Sequence, residues 1–145
     1  MGDREPIPAP DAEIPDLVDE DEVWRRIPPW KIVYDANLQV FRPAKDNFVD
    51  NPTSQTPMSC YLARRCNDPL LALEGHEGFA LVAIRVETLR GCNLQVLNAP
   101  RDHLPPGHVH VVGEKTKQVQ KRLATQCRWV VEPSNEVKEK IRNAE

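Results

Sequence analysis

The chain has 145 residues, of which 40% are hydrophobic and 28% are charged, and it contains 14 prolines. Because proline lacks a backbone N–H and has a fixed φ angle, this composition excludes a long helical bundle or coiled coil. No apolar run approaches the roughly 18 residues of a membrane span, and the N-terminus lacks a basic-then-apolar signal pattern. We therefore expect one soluble, cytoplasmic domain without a membrane partner.

The net charge of −3 is divided unevenly along the chain. Residues 1–22 hold nine acidic residues and one basic residue, a net of −8, whereas residues 23–145 carry a net of +5. An acidic, proline-rich segment with few large apolar side chains cannot offset the entropy lost on ordering. We predict a disordered acidic head over 1–22, a single domain over 23–132, and a charged tail or frayed helix over 133–145. The head either solubilises the protein or docks on a basic surface, on a partner or on the domain itself.

Short elements separated by proline are predicted in the first half of the domain. Residues 21–27 begin with acidic side chains, which favours a short helix. Two strands, over 30–34 and 38–41, are predicted to form a hairpin. Residues 42–57 read as a long loop, and apolar residues spaced four apart predict a two-turn helix over 58–66.

The second half contains the strongest element patterns. Residues 79–86 are almost continuously apolar, which indicates a central strand buried on both faces. Residues 94–97 and 108–112 are predicted strands, and residues 116–128 form the clearest amphipathic helix. The fold class is therefore α+β. We expect a small, mostly antiparallel sheet of three to five short strands, with two or three helices packed on one side.

His108 and His110 are candidate catalytic residues because alternate residues of a strand share one face. Two imidazoles on one face suit proton transfer or metal binding. A metal would need a further ligand, available from His76, Glu77, Asp102 or His103. The alternative is structural, with one histidine buried and the other on the surface. We assign no metal and no cofactor.

The segment 111–117 is predicted to be a strand, a tight turn and the start of a helix. Gly113 allows the turn, and Thr116 can cap the helix. Lys115 and Lys117 lie near the helix N-terminus, where backbone N–H groups and the helix dipole favour an anion. The alternative is an ordinary connection with solvated lysines.

Basic residues continue along the predicted helix. They can follow a phosphate backbone or form a solvated face, and they are Lys117, Lys121, Arg122 and Arg128. Arg42 and Ser59 come from the long loop and its end, where an arginine can orient a phosphate or carboxylate. The complete candidate ligand set is Arg42, Ser59, His110, Lys115, Thr116 and Lys117.

The four cysteines, Cys60, Cys66, Cys92 and Cys127, have no metal-binding spacing. Without a Cys-x-x-Cys pair or a signal peptide, neither a zinc site nor a disulfide framework is expected. We interpret them as buried or partly buried thiols.

Several short motifs resemble a group of small bacterial proteins of unassigned function. They are Trp24-Arg-Arg-Ile-Pro-Pro-Trp30, Arg42-Pro43 with Phe48, Pro57-Met-Ser59, Gly75-His-Glu-Gly-Phe79 and His110-Val-Val-Gly-Glu-Lys-Thr116. The resemblance spans about residues 23–131 and implies that both charged ends lie outside the common unit. It implies no activity, substrate or catalytic residue.

The charge division and the strand–turn–basic helix unit together predict a bacterial domain that binds a phosphate-bearing molecule, either a nucleic acid or a nucleotide. One alternative is a non-enzymatic interaction module, or accessory subunit of a bacterial operon, that engages a protein through residues 1–22 or the basic helix. A second alternative is a small hydrolase or transferase that uses His108 or His110 as a general acid or base.

Overall fold

A computed structural model describes residues 12–144 of the chain. Within that range the strands are β1 (Ala12–Glu13), β2 (Glu22–Ile27), β3 (Ile32–Asp35), β4 (Val40–Pro43), β5 (Met58–Leu62), β6 (Ala80–Arg85), β7 (Gln95–Asn98), β8 (His108–Val112) and β9 (Arg128–Val131). The helices are α1 (Ala63–Cys66), α2 (Pro69–Ala72), α3 (Val86–Gly91), α4 (Lys117–Gln126) and α5 (Asn135–Asn143). Two short 3-10 turns cover Pro29–Lys31 and Lys45–Asn47.

Seven strands form one antiparallel sheet in the order β1-β7-β8-β5-β2-β6-β9, and β3 pairs with β4 in a separate hairpin. The α+β class and the antiparallel sheet are confirmed. The predicted count of three to five strands is wrong, because β1 and β9 extend the sheet at its two edges and because β2 and β5 are strands where helices were expected. Between residues 12 and 144 the chain forms five helices, whereas two or three were predicted.

The helices cover both faces of the sheet rather than one. On the first face, Leu89 of α3 and Leu123 of α4 are buried among the strand residues Val23, Ile84 and Val111. On the second face, Cys66 of α1 and Ala72 of α2 pack with Trp24, Tyr61 and Leu81. Each face therefore has its own apolar layer, and β6 contributes to both, as its continuous apolar run predicted.

Two segments that were predicted to be helices, residues 21–27 and the first part of 58–66, are strands. Glu22–Ile27 pairs along its whole length with β6, and this ladder supplies the backbone hydrogen bonds that an isolated short helix cannot secure. In β5, Cys60, Tyr61 and Leu62 are consecutive and all buried. Such a run fits a strand covered on both faces, so the helix over 58–66 is restricted to Ala63–Cys66.

Residues 12–22 pack against the domain, where the sequence led us to expect a disordered head. The β1 strand pairs with β7 at the sheet edge, and Ile14 is buried in the first apolar layer. Asp16 and Asp21 contact Arg64, which lowers the pKa of Asp16. Exposed ion pairs contribute little on their own, so the apolar contact of Ile14 is the main anchor. The rest of the predicted head, residues 1–11, lies outside the described residues.

The C-terminal residues form α5, which lies beside the hairpin. Val137 and Ile141, one helical turn apart, are partly buried against the core, so the predicted tail or frayed helix is a packed helix. The guanidinium of Arg142 lies 5.5 Å from the ring centre of Tyr34 and 5.2 Å from that of Phe41, within the range of cation–π attraction. The predicted hairpin is confirmed, with its strands at Ile32–Asp35 and Val40–Pro43.

None of the helices found between residues 12 and 144 has the length and apolar character needed to cross a membrane.

Candidate functional site

The second face of the sheet carries an unusual number of polar side chains. Ser59 is directly opposite His110, and Tyr61 is opposite His108, in the pairing of β5 with β8. Because opposite residues of antiparallel strands point to the same side, these four side chains share one face. His108 and His110 therefore share one face of β8, as their alternation predicted, and Ser59 of β5 lies on the same face.

Both histidines are buried, each with 5% of its surface exposed, so the expectation that one lies on the surface is wrong. The Nδ1–H of His108 donates to the carbonyl of Ala99 at 2.6 Å, and its ring meets the Tyr61 ring edge-on at 5.4 Å. The two imidazole centres are 5.4 Å apart. Burial lowers the pKa of His108, with the Ala99 carbonyl acting in the opposite direction.

We expect this lowered pKa to make the stability of the protein depend on pH. Below about pH 6.5, histidine in the unfolded chain takes up a proton that folded His108 resists. The free energy of unfolding should therefore fall as pH drops from that value to the pKa of the folded state, by at most about 1.4 kcal/mol per pH unit. Urea denaturation at about pH 7.5, 6.5 and 5.5 measures this change in the free energy of unfolding.

His108→Asn is the matched control, because its amide can donate to the Ala99 carbonyl and does not titrate. The variant should show a flatter pH dependence over the same interval. Identical slopes for the wild-type protein and the variant would show that His108 is not the titrating group.

Adjacent arginines of β2 border a cleft where the sheet divides. β2 pairs with β5 only at Val23–Leu62 and Trp24–Tyr61, so the two strands separate beyond Trp24. A cavity of about 350 Å³ opens there, and we call it the two-arginine cleft. Its lining includes Arg25, Arg26, Lys31, Asn47, Asp50 and Ser59. The separation of the strands explains how neighbouring side chains, which start on opposite faces, reach one cavity.

Backbone carbonyls hold both guanidinium groups in place. Arg25 donates from Nε to the Asn47 carbonyl at 3.1 Å and from NH1 to the Ser59 carbonyl at 2.7 Å. NH1 of Arg26 lies 3.0 Å from Nδ1 of His76, which accepts from it when the imidazole proton is on Nε2, and it donates weakly to the Ala72 carbonyl at 3.4 Å. Among residues 12–144, no carboxylate forms an ion pair with either arginine. Burial lowers the pKa of Arg25.

Lys115 stabilises one wall of this cleft. Its ammonium group donates to Oδ1 of Asp50 and to the Val111 carbonyl, each at 2.6 Å, and only 4% of its side chain is exposed. The same Asp50 oxygen accepts the backbone N–H of Met58 at 3.0 Å. Lys115 thus joins the end of β8 to the loop before β5, and it neutralises a carboxylate that lines the cleft.

The predicted strand–turn–helix unit forms around Gly113 and Thr116. Gly113 has φ +128°, and a Cβ there would lie 2.7 Å from Cδ2 of Leu94, so the position requires glycine. The Thr116 hydroxyl accepts the backbone N–H of Val119 at 3.2 Å and caps α4, and Lys117 is exposed at the first helical residue. Anion binding at this helix end stays a prediction.

Two other candidates lie elsewhere, Arg42 of the predicted ligand set and Arg128 of the predicted basic face. Arg42 pairs with Asp35 at 3.0 Å within the hairpin. Arg128 is in β9 rather than on α4, and its Nε donates to Glu22 at 3.0 Å, so the predicted basic face is reduced to Lys117, Lys121 and Arg122. This correction follows from the end of α4 at Gln126, after which the chain enters the sheet.

The other histidines border a second cavity of about 490 Å³, which Arg26 also lines. His76, Asp102 and His103 are among its residues. Across the described range, no three histidine, cysteine or acidic side chains are grouped so that they could hold a metal ion. The cysteines are unpaired, and burial raises the pKa of Cys60 to about 11 and that of Cys127 to about 12, which makes both thiols poor nucleophiles near neutral pH.

Sequence reasoning did not single out Arg25 and Arg26, the two arginines that line the cleft, because both were assigned to a short helix. Two consecutive arginines flanked by Trp24 and Ile27 were the available signal, since charged residues inside a β-prone segment need a special environment. Comparison with protein families, with curated proteins and with solved structures found no match to this chain. The resemblance to small bacterial proteins therefore remains a prediction.

Proposed function

We propose that this domain binds a small phosphate-bearing ligand in the two-arginine cleft. The observation that supports this function is a pair of adjacent arginines that open on a cavity and have no carboxylate partner among residues 12–144. Burying the Arg25 cation is costly, and the carboxylate that attracts it, Asp50, is already paired with Lys115, so a bound anion would offset that cost. The planar guanidinium fork also matches the oxygens of a phosphate group.

The surroundings of the arginines support binding of a compact anion. The carbonyls of Asn47 and Ser59 hold Arg25 before a ligand arrives, which lowers the entropy cost of binding. Lys31 adds a third positive side chain to the lining. Of the two acidic residues in the lining, Asp46 and Asp50, the second is neutralised by Lys115. The proposed site thus keeps Ser59 of the predicted ligand set and gives Lys115 a supporting role.

Calorimetric titration with inorganic phosphate and with a nucleoside monophosphate tests the proposal. Arg26→Gln should weaken binding roughly 10- to 100-fold, because a hydrogen bond to a charged group contributes about 1.5–3 kcal/mol. Arg122→Gln is the matched control: its guanidinium lies on α4 near Gly91, away from the cleft lining.

The same pair of variants separates the cleft from the predicted basic face. Loss of affinity in Arg122→Gln, with Arg26→Gln unchanged, would place the ligand on α4 instead. Absence of binding by either ligand at about 50 mM salt, where electrostatic association is strong, would contradict the proposal.

A protein-interaction module is the second candidate, and the hairpin favours it. Val33 and Val40 lie on one face of β3 and β4, and both are exposed together with Leu38 of the turn. Leu38→Lys should remove a partner from the co-purified set if this face binds one. A chain lacking residues 1–11 tests the acidic head without removing β1, so an unchanged partner set in both variants would exclude both surfaces.

A further inference from the structure

Trp30 is the most unusual exposed side chain near the two-arginine cleft. Its surface is 73% exposed, although tryptophan is usually buried for most of its area. The residue belongs to the turn Pro29–Lys31, and the next residue, Lys31, lines the cleft. Trp30 is not itself among the residues that line the cleft, but its chain neighbours Pro28 and Lys31 are. The exposed indole is therefore available to a ligand that extends out of the cleft past this turn.

Prolines and hydrogen bonds order the backbone of the turn that carries Trp30. Proline precedes it at two positions, and the Lys31 N–H donates to the Pro28 carbonyl at 3.0 Å. The Lys31 carbonyl accepts the Ala44 N–H at 2.9 Å and the side-chain amide of Asn47 at 2.8 Å. A rigid turn presents the ring at low entropy cost, as aromatic contact residues require.

Aromatic rings connect Trp30 to Arg26. The indole meets Phe79 at 5.7 Å between ring centres and at 87°, an edge-to-face contact. The ring centre of Phe79 lies 5.1 Å from that of His76, and Nδ1 of His76 lies 3.0 Å from NH1 of Arg26. Arg26 in turn lies 5.3 Å from the ring centre of Tyr61. The contacts fix the exposed indole relative to the guanidinium that the proposed ligand would meet.

We infer that the ligand of the cleft carries a nucleobase that stacks on Trp30 while its phosphate contacts Arg26 and Lys31. This inference rests on the proposed function and names its ligand class as a nucleotide unit, either a mononucleotide or a residue of a single strand. Any base can stack on an indole, because every base has a π-face, so the site selects for a base without reading a sequence. The phosphate supplies the electrostatic part of the affinity.

The experiment compares adenosine monophosphate with ribose 5-phosphate, which has the same sugar and phosphate but no base. In the wild-type protein the monophosphate should bind about 5- to 100-fold more tightly. Trp30→Ala should abolish that preference and leave the affinity for ribose 5-phosphate unchanged. Leu70→Ala is the matched control, because Leu70 is also 73% exposed and belongs to α2, outside the cleft lining.

An oligoadenylate of six residues distinguishes the two sources of the nucleotide unit. A single strand is indicated if the oligoadenylate binds more tightly than the monophosphate and loses affinity more steeply as salt rises. A mononucleotide is indicated if the affinity per nucleotide unit is equal for the two ligands. Equal affinities for the monophosphate and ribose 5-phosphate would overturn the role of Trp30 and leave the anion site standing. Absence of binding by both would refute the proposed function itself.

Discussion

Replacing Phe48 by alanine is expected to lower the free energy of unfolding by about 3–5 kcal/mol, because the change removes a fully buried aromatic ring and leaves a cavity. Phe48 has no exposed surface and belongs to the apolar layer on the first face of the sheet. It directly follows the 3-10 turn Lys45–Asn47, and α4 lies against that turn. The ring therefore attaches an otherwise irregular loop to the core.

The same substitution should also weaken ligand binding. Asn47 and Asp50 flank Phe48 and line the two-arginine cleft, so a loosened loop displaces the carbonyl that holds Arg25. Urea denaturation measures the stability, and phosphate titration measures the site. Phe48→Leu is the control. It retains more of the buried volume, so it should lose less stability and less ligand affinity than Phe48→Ala. A loss of stability below about 1 kcal/mol in Phe48→Ala would contradict the anchoring role.

Ile14→Ala should lower the free energy of unfolding by about 2–4 kcal/mol, although the residue lies in the segment predicted to be disordered. Ile14 is 6% exposed and packs in the apolar layer of the first face. Ile14 directly follows β1, and the pairing of β1 with β7 holds this segment at the edge of the sheet. Thermal or urea denaturation of the full chain measures the change.

Val18→Ala in the same segment provides the comparison. Val18 is 50% exposed, so its truncation should change the stability by less than about 0.5 kcal/mol. A large difference between the two variants would show that residues 12–22 are part of the folded domain. Equal and small effects would restore the predicted head boundary at residue 22.

Elements with a strong local pattern were predicted well. The apolar run of β6, the His-Val alternation of β8 and the amphipathic face of α4 each indicated the observed element. A strand places alternate residues on opposite faces, and a surface helix buries one stripe, so the two elements have different periods. Gly113 and Thr116 were also assigned correctly, since a tight turn and a helix cap depend on neighbouring backbone atoms.

Strands whose conformation depends on pairing with another strand were not predictable from the local sequence pattern. β2 mixes acidic, aromatic and basic residues with no clear period, and it is a strand because β6 pairs with it throughout. β1 has only two residues, and its structure comes from the exposed edge of β7. In both strands, hydrogen bonds to a strand distant in the chain outweighed the weak conformational preference of the local sequence.

The candidate site shows the same division. The amino-acid pattern pointed to Ser59, His110 and Lys115 as candidate residues, to a basic body of the chain, and to a glycine turn that leads into a capped helix. The pairing of Lys115 with Asp50 and the position of Arg25 and Arg26 at a cavity became visible in the folded chain alone. The physical reason is that a cleft forms where β2 and β5 stop pairing, and that separation depends on contacts between segments more than 30 residues apart in the chain.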